Sequence, residues 1–108
     1  MTIAPEQLTD PTVRAFVTAV NAGDKEAVLA LLTPDATMSD DDAERDLRQW
    51  TDKEIFDSNG HMDVESESAN GHNIVVDYRN STWGEMRTSW RFEITPEGRI
   101  RRFETRQA

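Results

Sequence analysis

At Asn59-Gly60 the hydrophobic pattern changes period, and that change limits the fold of this chain more than any other feature. Beyond it, apolar residues recur at every second position, as on strands with one buried face. Met62 and Val64 alternate with Asp63, Glu65 and Glu67, and Ile74, Val76 and Tyr78 alternate with Val75, Asp77 and Arg79. In the longest run Met86, Thr88, Trp90, Phe92 and Ile94 share one face, and Arg87, Ser89, Arg91 and Glu93 share the other. Asn70-Gly71 and Pro96-Glu97-Gly98 supply turns, and Ile100 to Arg106 returns as a last strand.

Before the switch the pattern is helical. Asp10-Pro11 reads as an N-cap followed by proline at the first helical position, and Val13, Phe16, Val17 and Val20 then fall on one stripe. Asn21-Ala22-Gly23 ends that helix, and Asp24 caps a second one, in which Ala27 and Leu31, with Val28 and Leu32, form adjacent i,i+4 pairs before Pro34 closes it. Ala36-Thr37-Met38 is a short strand running into Asp40-Asp41-Asp42. A third helical segment is expected over 44–56, with Leu47 and Trp50 on one face and a capping box from Thr51 to Glu54. Helices first and a meander of strands afterwards predict an α+β fold, with the helices on one face of an antiparallel sheet. At 108 residues, one domain over 1–108 is expected.

Charge and composition narrow the function classes. The 12 Lys+Arg against 21 Asp+Glu give a net charge of −9, which repels phosphate backbones and anionic membrane surfaces and argues against nucleic acid and membrane partners. No cysteine is present, so disulfides, thiol nucleophiles and thiolate metal sites are excluded. Met1 to Asp10 has neither a basic n-region nor an apolar run, so the expected location is cytoplasmic. There is no G-x-S-x-G elbow, H-E-x-x-H pair or glycine-rich phosphate loop, and no cofactor is expected. His61 and His72 each follow a glycine in a turn and read as surface residues at strand ends.

The run Phe16-Val17-Thr18-Ala19-Val20-Asn21-Ala22-Gly23-Asp24, then Ala27 to Leu32, then Pro34-Asp35-Ala36-Thr37-Met38, resembles the opening of the nuclear-transport-factor-2-like (SnoaL-like) superfamily. Trp90-Arg91-Phe92 followed by Pro96-Glu97-Gly98-Arg99-Ile100 resembles that family's last hairpin. The resemblance covers nearly the whole chain and implies a curved antiparallel sheet wrapped around helices as a cone with an apolar pocket. It is specific for fold and weak for function, because the fold hosts enzymes, binding modules and dimerisation domains. Compared with ketosteroid isomerases of this superfamily, the position of the catalytic base falls on Asp40. Phe16 stands where the tyrosine of the oxyanion hole would be, and Thr88 where the protonated aspartic acid would be. Phe has no hydrogen to donate and a Thr hydroxyl is a weaker oxyanion stabiliser, so steroid isomerase activity is disfavoured.

Two readings of Asp40 stay open: a general base or polar ligand anchor, and an ordinary acidic loop preceding a helix N-terminus. The expected ligand contacts are Phe16, Trp50, Thr88, Trp90 and Phe103, with the aromatic residues either lining a cavity or filling the cone as core. No metal site is expected from the triple Asp, because consecutive residues do not converge on one cation. Arg79, Arg87, Arg91 and Arg101 are assigned to the outer sheet face with Asp63, Glu65 and Glu67. That mixture of signs suits either cross-strand ion pairing or a homodimer formed through the sheet, as relatives of this fold commonly form. Two functions follow: a binding or dimerisation domain for a small apolar ligand, and a proton-transfer isomerase, cyclase or dehydratase using Asp40.

Overall fold

A computed structural model describes residues 2–108. Helices α1 (Pro11–Asn21) and α2 (Lys25–Ala30) come first, and the chain then enters the sheet as β1 (Leu32–Asp40) and β2 (Ala43–Arg45). It crosses through α3 (Leu47–Thr51) and a π-helical turn, Asp52–Phe56, and finishes with β3 (His61–Ser68), β4 (Asn73–Asn80), β5 (Gly84–Ile94) and β6 (Ile100–Gln107). The six strands lie in the order β2-β1-β6-β5-β4-β3. The period switch therefore falls where helix gives way to the β3–β6 meander, and the fold is α+β with a curved sheet.

The first helix forms for the local reasons its sequence supplies. Asp10 accepts hydrogen bonds from the amides of Thr12 and Val13, which have no partner inside the helix, and Pro11 occupies the first turn, where its missing N–H costs nothing. Its second carboxylate oxygen lies 3.0 Å from Nε2 of His72, tying the cap to the start of β4. Val13, Phe16, Val17 and Val20 are completely or almost completely buried against the sheet.

In several places tertiary pairing overrides the local pattern. The second helix stops at Ala30, two residues short of Leu32, because the Leu31 carbonyl accepts from the Ile100 amide at 2.7 Å and draws the chain into the sheet. Pro34 consequently lies inside β1, in the irregular stretch between Leu32 and Thr37 where the ladder with β6 is interrupted and no amide is required. That β1–β6 pairing is parallel, whereas every other neighbouring pair is antiparallel as expected.

The triple Asp is not a loop before a helix. Asp40 ends β1, Asp41 and Asp42 (φ 48° and 68°) make the two-residue turn, and Ala43 pairs back with Asp40. The third helix starts later than expected, at Leu47, with Asp46 as its cap, and Thr51 makes no capping bond. Register shifts also reassign two outer-face residues. A bulge between Val64 and Ser66 turns Glu67 over, so that its carboxylate accepts from the amide and hydroxyl of Thr9. Another between Glu93 and Ile94 breaks the parity of β6, giving its outer face to Arg102, Glu104 and Arg106; Arg101 remains exposed beside Glu93.

Candidate binding cleft

The register sorts the inner face into rows. Met38, Phe103 and Phe92 stand side by side across β1, β6 and β5, and Phe16 of α1 packs on them, with ring centroids 5.1 Å from Phe92 and 5.7 Å from Phe103. One step along the strands the row is Asp40, Thr105, Trp90 and Ile74, and the next contains Gln107, Thr88 and Val76, followed by Met86 and Tyr78. Beyond Trp90 the inner face opens into a cleft of about 530 Å³, a size ordinary for small-molecule sites.

The wall opposite the sheet is α3 and the π-helical turn, which supply Gln49, Trp50, Lys53 and Glu54. Helix α3 begins where Asp46 caps the Gln49 amide, and the turn is held by bonds from the Asp57 amide to the Asp52 carbonyl and from the Ser58 hydroxyl to the Lys53 carbonyl. Trp50 reaches from this wall onto the sheet, edge-on to Trp90 at 5.9 Å. Its indole N–H donates to Oδ2 of Asp40 at 3.0 Å. Asp40 is half-buried, and its other oxygen, Oδ1, has no donor among the described residues.

All three tryptophans line the cleft, and each indole N–H is bonded to another lining residue. Trp90 donates to the Thr88 hydroxyl oxygen at 2.9 Å, and Trp83 donates to Oε2 of Glu54 at 2.8 Å. The Trp83 bond joins the β4–β5 hairpin to the π-helical turn across one side of the mouth. The Glu54 carbonyl accepts from the Tyr78 hydroxyl at 2.6 Å and from Nδ2 of Asn80 at 2.9 Å, so β4 grips the turn twice. Burial pushes the Tyr78 hydroxyl well above its ordinary range and the nearby Glu54 charge adds to this, against a smaller opposing effect of Asn80. Tyr78 therefore stays a neutral donor, and its role is to hold the wall.

Of the residues singled out in the sequence, Asp40, Trp50, Thr88 and Trp90 come together on the cleft. Trp50 and Asp40 offer it surface; Thr88 and Trp90 lie at its base and are almost completely covered. Phe16 and Phe103 do not line it: both are fully buried in the row behind, where Phe103 stacks on Trp90 at 5.6 Å. Inward parity on β4 and β5 already marked Tyr78 and Met86, which complete the lining. Trp83, 60% exposed, and Arg45 of β2 carry no such signal, because a hairpin loop and a three-residue edge strand place them. Chemically the cleft offers a carboxylate with one free oxygen beside aromatic and thioether surface. Among the described residues no cluster of His, Cys, Asp and Glu could hold a metal ion, and no helix is long and apolar enough to cross a membrane.

This architecture is the nuclear-transport-factor-2-like fold. The chain is similar to a proposed polyketide cyclase from Sinorhizobium meliloti (TM-score 0.70, 20% identity, 87% of this chain and 92% of that one). It is also similar to an NTF2-like protein of unknown function from Cytophaga hutchinsonii (TM-score 0.71, 14% identity, 100% and 93%). A third similar structure is Mycobacterium tuberculosis RV0760c in complex with estradiol-17β-hemisuccinate (TM-score 0.70, 15% identity, 95% and 93%). At these identities the likeness is one of fold. No protein-family model matches the chain, and no curated protein matches it in sequence.

The grip of β4 on the wall yields a prediction at Gly60, where an added Cβ would overlap the Tyr78 hydroxyl. Gly60→Ala should destabilise the fold by about 2 kcal/mol and Tyr78→Phe by about 1 kcal/mol. Urea unfolding of the double variant should show a smaller loss than the sum, because removing the hydroxyl relieves the closest overlap and leaves only the tight contacts with the Ile55 backbone and the ring. Strict additivity would show that the two residues do not meet.

Proposed function

We propose that this chain is a single small-molecule-binding domain whose ligand lies in the cleft, its apolar body on Trp50, Met86 and Trp83 and a polar group against Asp40. The observation that carries this is the pairing of open aromatic surface with a half-buried carboxylate that keeps one oxygen free. Three indoles, one buried, one half-buried and one exposed, are tied by their N–H groups into a preorganised lining, which lowers the ordering cost of binding. A protein of the same fold holding a steroid ester supports this reading.

The free oxygen also supports a second reading, proton abstraction next to a carbonyl with Asp40 as base. Against it stands the poor oxyanion site beside Asp40: Phe16 has no hydrogen to donate and is in the core, and the Thr88 hydroxyl is almost completely covered. Hydrophobic ketones separate the two. At 100-fold excess over Kd a bound ketone should add about 2.7 kcal/mol of stability, seen as a rise in Tm, in wild type and in Asp40→Asn alike, because a ketone has no hydrogen to give the Asp40 carboxylate. The binding reading expects no exchange of the ketone's α-hydrogens for deuterium in D2O. Exchange by wild type that falls about 100-fold or more in Asp40→Asn would establish the enzyme, and absence of any Tm rise would refute binding.

We propose, further, that two copies associate through the outer sheet face. Its charges pair across strands, Arg79 with Asp63 and Arg87 with Glu65, which leaves Val75, Ser66 and Ser89 beside a shallow depression of about 330 Å³. Burial, the largest single effect on the Asp63 carboxyl, raises its pKa, but Arg79 and His61 together outweigh burial and hold it below its ordinary range. Pairs of this kind lower the like-charge repulsion when the face meets its own copy, and leave Asp77 and Glu85 as its unpaired acids among the described residues. Sedimentation at micromolar concentration should give a dimer and Val75→Lys a monomer; monomeric wild type would contradict the proposal.

A further inference from the structure

The charges around the cleft are unevenly committed. Its four carboxylates are each engaged by a donor of the protein: Asp40 by the Trp50 indole, Asp41 by the Gln107 amide, Asp46 by the Gln49 amide and Glu54 by the Trp83 indole. Most cations of this acidic chain are engaged as well, including Arg106 at the mouth, which is held by Asp42. Among the described residues the Lys and Arg side chains without a hydrogen bond or ion pair are Arg45, Arg48 and Lys53, all within the short segment from β2 to the π-helical turn. Arg45 of β2 and Lys53 of the π-helical turn both line the cleft, with Gln49 of α3 between them in sequence; Arg48 does not.

A chain with 21 acids and 12 bases has ample carboxylate to pair two more cations, yet these two face the opening unpaired. We infer that the ligand of this cleft is an organic acid, its apolar body resting on Trp50 and Met86 and its anionic head held between Arg45 and Lys53. The inference rests on the binding reading above and names the chemical class of what is bound. A neutral ligand would leave both cations solvated and gain nothing from them. An anionic head gains charge-assisted hydrogen bonds, with Arg45 able to grip a carboxylate or sulfonate through two N–H groups at once. The net charge of −9 repels anions at long range, so any preference for an anion must come from short-range contact with these two residues.

The test uses two fluorescent probes with the same aromatic body: 8-anilinonaphthalene-1-sulfonate, which is anionic, and N-phenyl-1-naphthylamine, which is neutral. Wild type should bind the sulfonate about tenfold or more tightly than the neutral probe, the scale of one charge-assisted hydrogen bond. Arg45→Gln/Lys53→Gln should abolish that preference while leaving the neutral probe's Kd unchanged. Arg48→Gln, which removes an unpaired cation of the same segment outside the cleft, should keep the preference. Equal affinities in wild type, or equal losses in the double variant and in Arg48→Gln, would overturn the inference and leave the binding reading standing. Failure of both probes to bind would overturn both.

Discussion

The packing of Phe16 on Trp90, Phe92 and Phe103 decides where this sheet is closed and where it stays open. Four aromatic rings with centroids between 5.1 and 6.3 Å apart form the centre of the core, and each close pair adds roughly 0.5–1.5 kcal/mol beyond its burial. Phe16, in the middle of α1, sits on the row of Met38, Phe103 and Phe92, and the end of the helix reaches β3, where Asn21 bonds the Met62 backbone twice. The strands continue past that row. What they carry there, Asp40, Thr88, Tyr78 and Met86, is available to α3 and to the cleft.

Over that open half, α3 and the π-helical turn bury Leu47 and Ile55 and are tied to the strands by polar bonds as well. The π-helical turn presents the Glu54 carbonyl to Tyr78 and Asn80, and the Glu54 side chain to Trp83. Trp50 spans the gap and fixes the Asp40 carboxylate by one oxygen. The same arrangement bonds one oxygen of each cleft carboxylate to the protein and leaves Arg45 and Lys53 without a partner among the described residues. The ion pairs on the outer face do little of this, since exposed pairs contribute about 0–1 kcal/mol each.

The strands and the first helix were legible because their signals are local. Alternation from Met62 to Ile94 put Thr88 and Trp90 on the inner face, and Asp10-Pro11 marked the start of α1. What could not be read depends on partners distant in sequence. The parallel pairing of β1 with β6 sets Asp40 next to Thr105 and Trp90, and the Ile100 amide ends the second helix before Leu32. Bulges at Glu65 and Arg101, each one residue long, moved Glu67 and Arg102 to faces that strict alternation denies them. Phe16 and Phe103 had the right chemistry for a ligand wall and the right face, but lie one row too deep. Arg45 and Lys53 appear in the sequence as ordinary surface charges, and only the placement of α3 over the sheet gives them a common target.

The central claim is that the open half of the inner face is where a ligand lies, and the three indole N–H groups report on it directly, since each is bonded within the cleft lining. In a 15N-labelled sample, adding N-phenyl-1-naphthylamine should shift the indole signals of Trp50, Trp83 and Trp90 while the backbone amides of Ser66 and Val75, beside the outer-face depression, stay in place. Movement of the outer-face amides with all three indole signals unchanged would contradict the account.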